Sequence, residues 1–375
     1  MERFSVVGVH SHHGAFPNLP MTRSPAALLS VATAAPPFVI DQDPAAEAAI
    51  GLFGGKVFRD HHIRSLFANT GIRTRRAVRP MGWYAVPHPW EERNAVYLTE
   101  AEQLWLEVAR EALRRADVDP KDVGAVVTVS STGIATPSLE ARAGPILGLS
   151  PAAMRTPVFG LGCGGGVTGL SIAARLAEAR PGSAVLLVVV ELCTLSMRPD
   201  EPSKMNVVAT ALFGDGAAAA VLKADPDAKG PTVGATGEHL WPETLDIMGW
   251  RVDPAGFGVV LDARLPDFVR RRFADGSAGF LKAAGLELAD VDRFVCHPGG
   301  AKVLPAIEAS LGIEQGALDH ERAVLSEFGN MSAPTVLFVL ERVLAAKAAA
   351  KAAASRMVLA ALGPGFTATF VSLEG

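Results

Sequence analysis

Residues 157–222 constrain the fold of this chain more than any other stretch. The apolar end of a strand runs into Gly160-Leu161-Gly162-Cys163-Gly164-Gly165-Gly166, after which Leu170, Ala173, Leu176 and Ala177 recur at helical spacing. Cys163 is therefore predicted at a tight strand-to-helix turn. Glycines there allow backbone conformations that other residues resist, and the unpaired N–H groups of a helix start favour a thiolate over a thiol. Such a position suits a nucleophile; a buried, inert cysteine beside a glycine-rich turn is the alternative. A strand over 184–191 ends in Glu191-Leu192-Cys193, and 209–222 reads as another small-residue strand passing through Phe213-Gly214-Asp215-Gly216.

The same alternation extends along the chain. Residues 26–34 read as a first strand, 44–69 as mostly helix, 98–116 as an amphipathic helix, and 123–129 as a buried strand leading into Ser130-Ser131-Thr132-Gly133-Ile134-Ala135-Thr136-Pro137. Beyond a joint at 225–231, a helix over 266–284 precedes a strand at 293–296 that ends in His297-Pro298-Gly299-Gly300. A long helix opens near Asn330 and runs to about 355, and strands at 357–362 and 366–373 flank Gly363-Pro364-Gly365. Strands alternating with helices imply mostly parallel sheets covered on both faces. With 375 residues, 49% of them hydrophobic, the chain can fill two cores or one large layered one.

A net charge of −4, with acids and bases mixed, offers no basic block for nucleic acid and no polybasic patch for a membrane surface. No apolar run reaches the roughly 18–20 residues of a membrane-spanning helix, so no integral membrane association is expected. The three cysteines, 163, 193 and 296, have neither metal-type spacing nor the density of a disulfide framework, which fits a reducing cytoplasm. Residues 1–23 are read as an extension without the pattern of a signal peptide, with Met21 a second possible start. His10, His12 and His13 within it suit a solvated tail better than a metal site. Arg73, Arg75 and Arg76 form a small basic cluster, fit either to meet the phosphates of a carrier such as coenzyme A or to lie in a solvated loop.

Two further residues bear on the chemistry. His297 closes a short apolar strand, and Asn330 stands in Ser326-Glu327-Phe328-Gly329-Asn330-Met331-Ser332, at or just before a helix start. Alone, each has an ordinary explanation: a satisfied core histidine, and a helix N-cap. With Cys163 they supply what a decarboxylating carbon–carbon condensation needs. A thiolate accepts an acyl group, an imidazole lowers the thiol pKa and donates to a thioester oxygen, and an amide gives the enolate a second donor.

The ordered series GLGCGGG, ELC with LFGDGAAA, HPGG, GNMS and GPG resembles the type III polyketide synthases, the chalcone-synthase-like branch of the thiolase fold, over about residues 24–375. The resemblance implies a five-layered α-β-α-β-α structure of two similar halves, 24–225 carrying the cysteine and 226–375 carrying the histidine and asparagine. It implies a homodimer using malonyl-CoA and an acyl-CoA starter, with no redox cofactor or metal. Cys163 would carry the acyl group, His297 would be its ion-pair partner, and His297 with Asn330 would donate to the oxyanion of malonyl decarboxylation.

Other positions carry over singly. Phe213 matches an aromatic gatekeeper between tunnel and cavity. Thr132, Ser196 and Gly249 match cavity-lining positions, Thr136 a residue lent across the dimer, and Val259 the place of a second gatekeeper ring that this chain lacks. Ser131, Glu191 and Ser332 match a hydrogen-bond network that favours aldol closure, or form a set of buried polar groups satisfying one another. Lys302 matches a coenzyme A contact, and Arg64 is what remains of a more basic entrance. SSTGIATPSLEAR, PHPWEERNA and the MGW at 248–250 are similar to bacterial members that make alkylresorcinols or alkylpyrones from fatty acyl starters. The alternatives are a β-ketoacyl-carrier-protein synthase III, whose motifs resemble HQAN and NTS rather than HPGG and GNMS, and a non-catalytic acyl-CoA binder. Hydroxymethylglutaryl-CoA synthase would want a glutamate base upstream of the cysteine, and none is convincing.

Overall fold

The computed structural model describes residues 24–350 and 355–375, so the expectations for residues 1–23, including Met21 and the three histidines, lie outside the described residues. The strands are β1 (Ala27–Ala34), β2 (Phe38–Asp41), β3 (Thr74–Ala77), β4 (Val123–Val129), β5 (Met154–Val158), β6 (Ala184–Leu192), β7 (Asp215–Lys223), β8 (Thr232–Leu240), β9 (Met248–Asp253), β10 (Gly256–Leu261), β11 (Arg293–Cys296), β12 (Arg356–Gly363) and β13 (Thr367–Glu374). The helices are α1 (Gln42–Phe53), α2 (Asp60–Ala68), α3 (Met81–Tyr84), α4 (Trp90–Ala116), α5 (Leu139–Leu147), α6 (Gly165–Ala179), α7 (Lys204–Leu212), α8 (Leu265–Ala283), α9 (Val303–Leu311), α10 (Asp319–Phe328) and α11 (Thr335–Ala350).

Nine strands form one sheet in the order β11-β12-β13-β8-β1-β7-β6-β4-β5. Its two wings meet at a single pairing, Ala27 of β1 with Thr232 of β8. Three hydrophobic clusters cover it. The first sets Phe53, Phe67 and Trp105 from α1, α2 and α4 against one face of β4, β6 and β7. The second packs α6 and α11 between Val127, Val129 and Leu187 of one wing and Val295, Leu359 and Val371 of the other. The third lays Phe273 and Phe280 of α8 and Leu304 of α9 on β11 to β13. The order is helix, sheet, helix, sheet, helix, the thiolase-like α/β arrangement. Every residue of β6 is buried, as expected for an apolar run with both faces covered.

Several expectations need correction. Five of the eight pairings in the sheet are antiparallel: β1 with β7 and β8, β13 with β8 and β12, and β6 with β7. Pairing β12 through the short Gly363-Pro364-Gly365 turn leaves no room for a parallel crossover. Residues 209–212 belong to helix α7, which the Ser203 side chain caps by accepting from the Asn206 N–H; the strand starts only at Asp215. The run of Ala and Val there suits either state, and the cap decides. Helix α4 begins at Trp90, with Glu91 and Glu92 in its first turn. The last long helix starts at Thr335, not near Asn330, and residues 351–354 of its expected end lie outside the described residues.

The middle layer holds the two inner helices unusually close. A Cβ built on Gly166 would stand 2.2 Å from the Ala333 carbonyl oxygen and 2.8 Å from Val336 Cγ1. Gly166→Ala is expected to destabilise the protein by about 1–3 kcal/mol, since neither the backbone nor the packed valine can yield cheaply. Gly51→Ala in α1, where nothing lies within 4 Å, should be neutral or stabilise by roughly 0.5–1 kcal/mol. Urea denaturation of the two variants checks the contrast; equal midpoints would refute it.

Candidate active site

Cys163 stands in one turn of 3-10 helix, Gly162–Gly164, between β5 and the first turn of α6. Gly162 has φ +46°, and a Cβ there would lie 2.8 Å from Pro364, so the turn beside the cysteine needs glycine twice over. His297 follows β11 and keeps that strand's register one residue further, its N–H donating to the Ala360 carbonyl of β12 at 2.8 Å. Asn330 is pinned to the end of α7: its N–H donates to the Leu212 carbonyl at 2.9 Å, and its carbonyl accepts from Gly214 N–H at 3.0 Å. Its side chain spans two backbone groups, Nδ2 donating to the Gly299 carbonyl at 3.2 Å and Oδ1 accepting from Ser332 N–H at 2.8 Å. Asn330 is therefore not an N-cap; it ties the histidine loop to the segment before α11.

All three side chains line one cavity of about 500 Å³. Its rim carries exposed residues, among them His62, Ser65, Asn69 and Lys302, and its inner end is buried, formed by Cys163, His297, Asn330, Ser332, Ser131 and Thr132. Cys163, His297 and Asn330 thus line the buried part of one cavity that is open to solvent.

The electrostatics differ from expectation. Burial pushes the Cys163 thiol up to about 11, against the pull of its Ser332 and Asn330 hydrogen bonds. Burial also drives the His297 imidazole down to about 3, and neither ring nitrogen has a hydrogen-bond partner. Both shifts favour the neutral thiol and the neutral imidazole over an ion pair. The helix start does not overcome desolvation. With both nitrogens open, a neutral imidazole has one acceptor and one donor available.

The remaining predicted residues divide. Thr132, Gly249, Val259, Phe213 and Lys302 line the chamber. Phe213 and Cys193 also form the wall of a second cavity of about 70 Å³, and it is this smaller one that Ser196 faces, its hydroxyl donating to the Cys193 carbonyl at 2.7 Å. Thr136 lies exposed on the loop before α5, away from the chamber. Arg64 does not line the passage: on the outer side of α2 it pairs with Glu47 at 2.8 Å. The basic cluster is likewise committed elsewhere. Arg75 is buried and donates to Gln42 and to the carbonyls of Thr210 and Phe213, and Arg73 donates to Ser326.

Of the three-residue network, Glu191 accepts from Ser131 N–H at 3.0 Å and from Thr132 Oγ1 at 2.7 Å. Ser332 stands at the sulfur of Cys163 instead. Cys193 and Trp250, to which the sequence assigns no place in the site, also line the chamber, Trp250 on β9 directly opposite Val259. The paired alternation of 248–253 and 256–261 was the available signal for Trp250.

A thiol, an unpartnered imidazole and an amide brought together at the foot of a passage through a thiolase-like fold mark a condensing acyltransferase. The chain belongs to the chalcone and stilbene synthase family: residues 82–226 match its N-terminal domain model and residues 233–375 its C-terminal domain model. It is therefore a type III polyketide synthase, an enzyme class that condenses acyl-CoA substrates. The chain is 40% identical over 316 residues to 1,3,6,8-tetrahydroxynaphthalene synthase of Streptomyces peucetius subsp. caesius, covering 83% of each. It is 30% identical to phloroglucinol synthase of Pseudomonas fluorescens, over 81% of this chain and 86% of that one. Among solved structures it is similar to the 1,3,6,8-tetrahydroxynaphthalene synthase of Streptomyces coelicolor A3(2), with a TM-score of 0.86 and 29% identity over 93% of this chain and 98% of that one.

Glu191 generates a pH prediction. Its carboxyl is fully buried, and burial raises its pKa from 4.5 to about 8 even though Ser131 and Thr132 donate to it. The native state therefore binds a proton that the unfolded chain has released, and the stability this lends is complete below pH 4.5 and lost as pH rises through 8. In Glu191→Gln the titrating group is gone, so its Tm measured by calorimetry should gain on the wild type between pH 5 and 9. Parallel Tm curves across that range would show that Glu191 is ionised in the native state.

Proposed function

We propose that this protein condenses malonyl-CoA repeatedly onto an acyl-CoA starter carrying a medium or long fatty acyl chain, and closes the product to an alkylpyrone or alkylresorcinol. The observation that carries this is the chamber itself. It is largely apolar, and presents Gly249, around whose Cβ position nothing lies within 4 Å, and valine at 259. That space suits an alkyl tail together with a growing polyketide.

In the proposed cycle His297 takes the Cys163 proton, and the thiolate attacks the starter thioester. Coenzyme A leaves as its thiol with that proton, and the acyl group remains on sulfur. Malonyl-CoA then loses carbon dioxide, its thioester oxygen gaining charge that Asn330 Nδ2 and the His297 ring N–H meet, while Phe213 offers the departing carboxylate an apolar face. The enolate carbon attacks the acyl carbonyl, expels the sulfur and leaves a lengthened β-ketoacyl-CoA. Loss of carbon dioxide drives each round, so no redox cofactor or metal is needed. Ser131, Thr132 and Glu191 lie where they can direct closure of the finished chain, and Lys302 at the rim where it can meet a coenzyme A phosphate.

We take the protein as a cytoplasmic homodimer of two similar halves meeting near residue 225. No helix among the described residues is long and apolar enough to cross a membrane. Met154 on edge strand β5, with Ile134 and Phe159 beside that edge, exposes apolar surface suited to a second copy, next to the loop holding Thr136.

Mass spectrometry of products from labelled malonyl-CoA and a panel of acyl-CoA starters tests the assignment. Octanoyl- to stearoyl-CoA should be extended two or more times; turnover of short aromatic starters alone would overturn the starter class. Cys163→Ala should abolish condensation, and Asn330→Ala should lower malonyl-CoA decarboxylation by about 10²–10³-fold. Gly249→Leu, whose side chain enters open space, should shift products toward shorter chains without lowering Tm.

A further inference from the structure

The strand pair β9 and β10 stands apart from the main sheet and walls one side of the chamber. Trp250 of β9 and Val259 of β10 are direct cross-strand partners, and both line the cavity. Residues opposite each other in an antiparallel pair share a face, with Cβ atoms about 5 Å apart, so a large side chain on one strand can fill the space that a small one leaves on the other.

The nearby ring on β10 does not fill it. Phe257, opposite Val252, is buried against Trp90 (ring centroids 4.9 Å) and is absent from the chamber wall. Trp250 stacks on Phe257 at 5.6 Å with the planes 20° apart, and its Nε1–H donates to the Ser131 carbonyl at 2.9 Å. Two contacts of different kinds, one apolar and one polar, thus hold the indole in a single orientation. The second contact joins the wall to the loop whose Ser131 N–H donates to Glu191.

We propose that the Trp250 indole is the chamber's second aromatic wall beside Phe213, supplied from the strand opposite the valine, and that it determines how long an acyl or polyketide chain the chamber holds. This rests on the condensing activity proposed above and adds to it the residue that limits length. The ring closes off space beside the thioester with apolar surface, where one methylene of fit is worth about 10–200-fold in discrimination.

The experiment is product-length analysis with competing short and long acyl-CoA starters. Trp250→Ala should raise the long-to-short ratio of kcat/KM by at least about tenfold, and lengthen the products. Trp250→Phe, which keeps a smaller ring on Phe257 and loses the N–H donor, should fall between wild type and Trp250→Ala in product length. The double variant Trp250→Ala/Val259→Phe returns an aromatic to the same face from the other strand and should restore the wild-type distribution. Should Trp250→Ala fold poorly, Val259→Phe alone remains decisive, because a second ring must shorten products. Condensation with unchanged product lengths in Trp250→Ala, or in Val259→Phe where only that variant folds, would overturn the proposal. Absence of any malonyl-dependent condensation in the wild type would instead overturn the activity on which it rests.

Discussion

The contact between the first turn of α6 and the backbone at Ala333 is the constraint on which the rest of the site depends. Cys163 comes from one wing of the molecule and Asn330 from the other, and they meet only because Gly166 carries no side chain where the Ala333 carbonyl must pass. The same approach lets Ser332 reach the sulfur. Packing in the middle layer and placement of the reactive groups are one physical fact: the buried faces of α6 and α11 draw the wings together, and the nucleophile rides on the element that is drawn in.

Desolvation has a similarly direct chemical consequence. Burial penalises charge on sulfur and imidazole alike and so favours the neutral form of each. A ring nitrogen without a fixed partner can serve first as base and then as donor.

How much of this was legible in the sequence follows from what each signal measures. Local patterns located Cys163, His297 and the short strand before it correctly, because glycine-rich turns and apolar runs are properties of a few adjacent residues. The ordered motifs identified the family. Strand direction was not legible: parallel and antiparallel neighbours with both faces covered read alike as apolar runs, hence the overestimate of parallel pairing. The helix over 204–212 was taken in part for a strand because Ala and Val suit both states. Arg64 and Ser196 occupy the right positions along the chain but face Glu47 and a different cavity, since which way a side chain points depends on partners far off in sequence. The perturbed thiol and imidazole depend on burial, which no motif records.

The strand pair that walls the chamber is fastened by charge rather than by backbone ladder. Arg198, itself buried, holds Glu201 and Asp253 at 2.9 Å and the Gly256 carbonyl at 2.6 Å, and Arg251 pairs with the same two carboxylates. Because the clamp sits outside the cavity and grips the hairpin by its far residues, inward-facing positions such as Val259 and Gly249 carry little duty to the scaffold. Such a module behaves as a replaceable cassette: a lineage can retune what it makes by altering a few inward side chains there, leaving the machinery that forms carbon–carbon bonds untouched.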